Sequence, residues 1–221
     1  MASILTPNQI RTLEAIKASD IAKEFYFSGG TALSHYYLQH RLSEDLDFFR
    51  REEFDVMPVF VVLKTIKPKI KYANVDFQTS MNRNLFFLHF PDQTVLKLEF
   101  TYYPFIQVDA PKNIDGLLVD SAIDIATNKL FTILQTPRGR DYYDLYFLIK
   151  KYNYTIPQLR LLAKQKFDWH IDPLMLASQL NKAKTFLDDP ILIGKSDSNK
   201  IFQYFEAEAK QLSGEIIDTS R

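Results

Sequence analysis

No cysteine occurs in the chain, which removes in one step a disulfide framework, a thiolate zinc site, an iron–sulfur cluster and a cysteine nucleophile. Net charge is missing as well. Lys and Arg total 27 and so do Asp and Glu, which argues against a general coat for polyanions while leaving room for a basic patch balanced by acid elsewhere. No apolar run reaches the length of a membrane span, and Met1 to Pro7 lack a basic segment followed by an apolar one. The expectation is a cytoplasmic protein with no membrane partner. Glycine is scarce, 6 in 221 residues, whereas Phe (18) and Tyr (12) are abundant. A composition 46% hydrophobic and 24% charged excludes global disorder and suits one large domain or two small ones.

Thr6-Pro7 reads as an N-cap followed by proline at the first helical position, with Ile10, Leu13 and Ile16 as the apolar stripe. Phe25-Tyr26-Phe27 predicts a short strand that ends in the turn Ser28-Gly29-Gly30, followed by a helix over Thr31 to His40. Leu46 to Phe49 is a second strand and Val56 to Ile66 a helix. From Ile70 to Tyr103 the period changes to two, which predicts an antiparallel meander with turns at Asn82-Arg83-Asn84 and Pro91-Asp92-Gln93. Helices are then expected over Ser121–Leu134, Gly139–Lys151, Ile156–Gln165, Pro173–Phe186 and Asn199–Leu212, with fraying at the last residues. The natural break falls near Gly116, giving an α+β chain: a mixed α/β domain, residues 1–116, and a C-terminal helical domain, residues 117–221.

The densest chemistry lies between Ser28 and Phe49. Two glycines between a strand and a helix let a backbone approach a ligand and aim the N–H groups of Gly29, Gly30 and Thr31 at it, as a phosphate cradle requires. Asp45 and Asp47 are one residue apart on the expected strand, so they leave the same face while Leu46 and Phe48 turn to the core. Two hard oxygen ligands suit Mg²⁺ or Mn²⁺ beside substrate phosphates. Glu99, in Leu96-Lys97-Leu98-Glu99-Phe100, has the apolar–acid–apolar pattern of a third ligand on a neighbouring strand. Three such carboxylates form a metal-dependent phosphoryl or nucleotidyl transfer site. Each feature also has a plainer reading: a solvated strand edge, a turn, an ordinary strand acid.

Gly29-Gly30-Thr31-Ala32-Leu33, then His40-Arg41-x-Ser43-x-Asp45-Leu46-Asp47-Phe48, resembles the AbiEii/AbiGii toxin family of nucleotidyltransferases, within the DNA polymerase β-like superfamily. Ser28 departs from that superfamily's preferred apolar residue. Ala126-Thr127-Asn128-Lys129-Leu130 and Arg138-Gly139-Arg140-Asp141-Tyr142-Tyr143-Asp144 resemble the family's later helical motifs. The resemblance implies a polymerase β-like core followed by a helical bundle that contributes to the active site. It implies nucleotide binding by Lys129 and an accessory catalytic role for Asp141. Arg41 is expected either to brace the acidic strand or to touch a phosphate. Arg138 and Arg140 have the spacing to pair with Asp141 and Asp144, so a structural charge cluster explains that motif as well as catalysis does.

The implied reaction is transfer of a nucleoside monophosphate from an NTP to an acceptor hydroxyl. The resemblance points to RNA, tRNA 3′ ends included, and to a toxin of a toxin–antitoxin or abortive-infection system with a cognate antitoxin. Between Lys150 and Lys184 seven basic residues face two acidic ones, which is compatible with a nucleic-acid backbone and with solvated helix faces alike. Modification of a protein or a small molecule, and a catalytically inactive nucleotide-binding module, stand as alternatives.

Overall fold

A computed structural model describes residues 4–186, 192–193 and 197–218, with the backbone alone for 215–218. The expected fraying of the last residues falls on 219–221, outside that range. The chain divides into two compact units, Met1–Ser121 and Ala122–Arg221.

The first unit is built on a seven-stranded mixed sheet in the order β3-β4-β5-β2-β1-β7-β6. Helix α1 (Pro7–Lys17) starts at a reciprocal cap in which the Thr6 hydroxyl accepts from the Gln9 N–H and the Gln9 side chain accepts from the Thr6 N–H. Strand β1 (Tyr26–Ser28) leads directly into α2 (Gly29–Ala32), which continues as a wider helical turn through Leu38 and stops at left-handed Gln39. Strand β2 (Leu46–Arg50) follows. Helix α3 (Met57–Ile70) runs past Ile66 because Ile70 extends the buried stripe of Val59, Leu63 and Ile66 at helical spacing. Ile70 is thus helical, and the meander begins later than its period-two pattern suggests.

That meander is antiparallel, as expected: β3 (Asn74–Ser80), β4 (Arg83–His89) and β5 (Val95–Tyr102). Its first turn is centred on Met81, which is fully exposed, and Arg83 and Asn84 belong to the strand rather than to the turn. The segment after Pro111 forms a hairpin, β6 (Lys112–Ile114) and β7 (Leu117–Val119), through Asp115 and Gly116, both at positive φ. Asp-Gly is the pair that a two-residue hairpin turn of this hand selects. Strand β7 then runs parallel to β1. Gly116 therefore lies inside the sheet unit, and the division falls after Ser121.

Aromatic side chains fill one face of the sheet. Phe48 lies between Phe27 (ring centroids 5.2 Å) and Phe100 (5.0 Å), and α3 adds Phe60 against Phe77 and Phe86. Phe27, Phe48, Phe86 and Phe100 are wholly buried.

The second unit is helical: α4 (Ala122–Gln135), α5 (Gly139–Tyr152), α6 (Ile156–Phe167), α7 (Pro173–Asn181), a short 3₁₀ turn over Lys182–Thr185, and α8 (Ser198–Asp218). Tyr142 and Tyr143 are core residues, each with its hydroxyl satisfied, by the Gln179 carbonyl and by Ser198 respectively. The basic surplus between Lys150 and Lys184 is only partly a surface. Lys166 is buried and paired with buried Asp124 at 2.7 Å, and Lys184 reaches Glu206 at 3.0 Å. No helix among the described residues is long and apolar enough to cross a membrane.

Phe48→Ala leaves a cavity in the centre of the aromatic layer, and urea denaturation is expected to show a loss of about 3–5 kcal/mol.

Candidate active site

The sheet's register brings the acidic residues together. Strands β2 and β5 are parallel neighbours in which Leu46 faces Leu98, Asp47 faces Glu99 and Phe48 faces Phe100. Leu46, Phe48, Leu98 and Phe100 are all fully buried, so the apolar face fixes the pairing. Asp47 and Glu99 must then share the opposite face. Asp45 immediately precedes β2 and is tied to the glycine turn, since the Thr31 hydroxyl donates to its carbonyl oxygen. Helix α1 holds the loop leading to Asp45. The Gln9 amide donates to the carbonyls of Ser43 (2.8 Å) and Glu44 (3.0 Å).

Each glycine has a distinct steric duty. Gly29 sits at φ +76°, and a Cβ there would collide with the carboxylate of Asp47. At Gly30 a Cβ would collide with the guanidinium of Arg41. The space opened by the two missing side chains is filled by the protein's own Asp47 and Arg41. Arg41 is almost fully buried, lies against Gly30 and donates to the Leu42 carbonyl at 2.9 Å. The Ser28 hydroxyl donates to buried Asp120 (2.7 Å), on the loop that follows β7. The Tyr37 hydroxyl donates to the Asp120 carbonyl at 2.7 Å, which ties the helical segment after the glycine turn to the same loop.

Two cations lie among the acids. Arg83 forks onto Glu99, with Nε to Oε1 at 2.7 Å and Nη2 to Oε2 at 2.6 Å, and the Thr101 hydroxyl donates to Oε1 at 2.8 Å. Lys97 Nζ lies 2.6 Å from Asp45 Oδ2 and 3.8 Å from Glu99 Oε2. Burial raises the affinity of Glu99 for a proton, but the Arg83 and Thr101 hydrogen bonds and the charges of Arg83 and Lys97 outweigh it, leaving Glu99 below the usual carboxylate range. The donor chemistry of Asp45, Asp47 and Glu99 fits a hard divalent cation. Among the described residues, however, no three such side chains are already gathered as a metal cage. The expected acidic cluster is interleaved with positive charge.

Neither cation was singled out by sequence reasoning. Arg83 was concealed between two asparagines that resemble a turn. Lys97 had a readable signal: two residues before Glu99 on a strand, it must share that residue's face.

In the helical unit, Lys129 is buried and its Nζ lies 2.7 Å from both Asp141 Oδ1 and Asp144 Oδ2. Asp141 also closes the N-terminus of α5, accepting from the Arg138 backbone N–H and from Nε at 3.1 Å each. Burial pushes the Asp141 carboxyl up, yet Lys129 and Arg138 together hold it below its ordinary value. Arg138 is the arginine that pairs with Asp141; the charge cluster joins α4 to α5.

Gly29→Ala is expected to displace Asp47 and to cost about 1–3 kcal/mol of stability from the left-handed backbone alone, read by urea denaturation. Asp141→Asn should cost about 2–3 kcal/mol at neutral pH, less than a wholly orphaned buried charge because Asp144 still holds Lys129. A carboxyl lowered by folding stabilises above its unfolded pKa of about 3.9 and loses that contribution as pH falls through the folded value. The difference from wild type should therefore be constant at higher pH and shrink as pH is lowered below about 4. An unchanged difference at low pH would contradict the assignment.

Residues 11–213 match the family described as nucleotidyl transferase AbiEii toxin of type IV toxin–antitoxin systems. The Aquifex aeolicus (strain VF5) protein aq_aa25, itself uncharacterized, is 33% identical over 167 residues, 74% of this chain and 76% of that protein. Two Helicobacter pylori crystal structures share the fold. One, a candidate nucleotidyltransferase, has a TM-score of 0.61 at 21% identity, covering 97% of this chain and 99% of that one. The other, JHP933, has a TM-score of 0.58 at 20% identity, covering 98% and 96%. With the family match spanning nearly the whole chain and the acidic strand pair set beside a glycine turn, the chain belongs to the AbiEii nucleotidyl transferase toxin family and is a nucleotidyltransferase.

Proposed function

We propose that the protein transfers a nucleoside monophosphate from an NTP to a hydroxyl at the 3′ end of RNA, with tRNA as the preferred class. In this reading it is the toxin of a system that a cognate antitoxin opposes, acting in the cytoplasm. The acceptor oxygen bonds to the α-phosphorus as the bond to the bridging oxygen of the β-phosphate breaks, and pyrophosphate leaves. The supporting observation is the register that sets Asp47 opposite Glu99 while Asp47 lies against Gly29.

Asp45, Asp47 and Glu99 are the residues that would hold Mg²⁺ or Mn²⁺, and such an ion would neutralise phosphate charge and acidify the attacking hydroxyl. Asp47 lies against the turn, where a side chain at position 29 would collide with its carboxylate. Glu99 is oriented by Arg83 and Thr101 and stays ionised. The Gly29–Thr31 backbone and Arg41 belong to the nucleotide side of the site, Arg41 by bracing the turn from beneath. Lys129 is assigned to nucleotide binding and Asp141 to an accessory role. What supports both is their place in the two helical motifs that resemble the family's, within the residues that match it.

Incubation with α-labelled NTPs and total cellular RNA should place label on RNA 3′ ends, and Asp47→Asn should reduce it by about a hundredfold or more. Label on protein or a small molecule would identify a different acceptor. Nucleotide binding with no turnover by the unaltered protein would leave a binding module.

A further inference from the structure

Lys97 and Arg83 reach the same acidic face in different ways. Arg83 engages both oxygens of Glu99 through a planar fork, a geometry that fixes the carboxylate and is costly to abandon. Lys97 is a point charge on a flexible stem, bridging Asp45 at 2.6 Å and Glu99 at 3.8 Å. Its side chain is 24% exposed and that of Asp45 30%, so solvent reaches the pair. Glu99, at 8%, is much more deeply set. The three acids carry three negative charges and the two basic residues return two positive ones. A solvent-reachable ammonium on Asp45 thus stands where an entering cation would need the same oxygen.

Resting on the metal-site reading above, we propose that Lys97 is a resident counter-ion: it competes with the divalent cation for Asp45 and couples metal binding to nucleotide. Without nucleotide, the cation must displace an ammonium whose anionic partners among the described residues are Asp45 and Glu99. A triphosphate brings negative charge of its own, which gives the displaced ammonium a new partner and lowers the cost of exchange. Lys97 is then a positioning residue whose removal has opposite effects on two measurable quantities. Metal affinity in the absence of nucleotide rises, and the enhancement that nucleotide confers falls. A lysine that merely filled space or aided folding would produce neither.

The test is Mn²⁺ titration of the full chain, followed by electron paramagnetic resonance, with and without a non-hydrolysable α,β-methylene NTP. Wild type, Lys97→Met, Lys97→Gln and Asp45→Asn are compared after thermal melts confirm folding. Both Lys97 variants should bind Mn²⁺ about fivefold more tightly without nucleotide, the fold-change corresponding to an ion pair of this exposure. They should also show a smaller gain on adding the analogue, while Asp45→Asn binds more weakly in both conditions. Unchanged or weaker Mn²⁺ binding in the Lys97 variants, with Asp45→Asn still impaired, would overturn the counter-ion role and leave the metal site standing. If Asp45→Asn binds as wild type does, or none of the proteins binds Mn²⁺, the metal-site reading falls and the counter-ion role with it.

Discussion

The site depends on the parallel pairing of β2 with β5. Four wholly buried apolar residues, Leu46, Phe48, Leu98 and Phe100, pair across that interface. Sliding either strand by one residue would drive Asp47 or Glu99 into the aromatic layer and expose a phenylalanine, so the hydrophobic face specifies the register. The acids need no attraction for one another to be brought side by side. Their mutual repulsion is opposed by burial on the other face, and by the cations that settle among them.

Those cations change the meaning of the acidic cluster. Three carboxylates with nothing between them would leave a concentrated negative charge on one side of the sheet, which destabilises the folded state. Arg83 removes part of that charge with directed bonds to Glu99, and Lys97 removes more with a looser contact. The two glycines act in the same steric economy. Rather than leaving empty space for a ligand, they let Asp47 and Arg41 approach the backbone from either side of the turn. Ser28 fastens the start of that turn to the loop after β7 through Asp120.

The helical unit repeats the pattern with deeper burial. Lys129, Asp141 and Asp144 have almost no contact with solvent, and Lys129 together with Arg138 balances the two carboxylates. In a buried ion pair of this kind desolvation offsets most of the attraction, while loss of one partner leaves an uncompensated charge. Lys166 with Asp124 follows the same rule, which is why counting basic residues along this segment overstates the positive surface.

Local chemistry determined much of this in advance. Thr6-Pro7 specified a capped helix start, Ser28-Gly29-Gly30 a break between strand and helix, and the alternation around Asp47 and Glu99 assigned each acid a face opposite the apolar residues beside it. The string from His40 to Phe48, with the later Lys129 and Asp141 motifs, was enough for the family. Tertiary structure alone decided which strands are neighbours, because pairing is chosen by the fit of whole buried faces. Period-two alternation says which side a residue takes but not which strand lies next to it. Hence the meeting of Asp47 with Glu99, the reach of Arg83 across from β4, the β6–β7 hairpin beyond Pro111 and the burial of Lys166 emerged only from the folded chain.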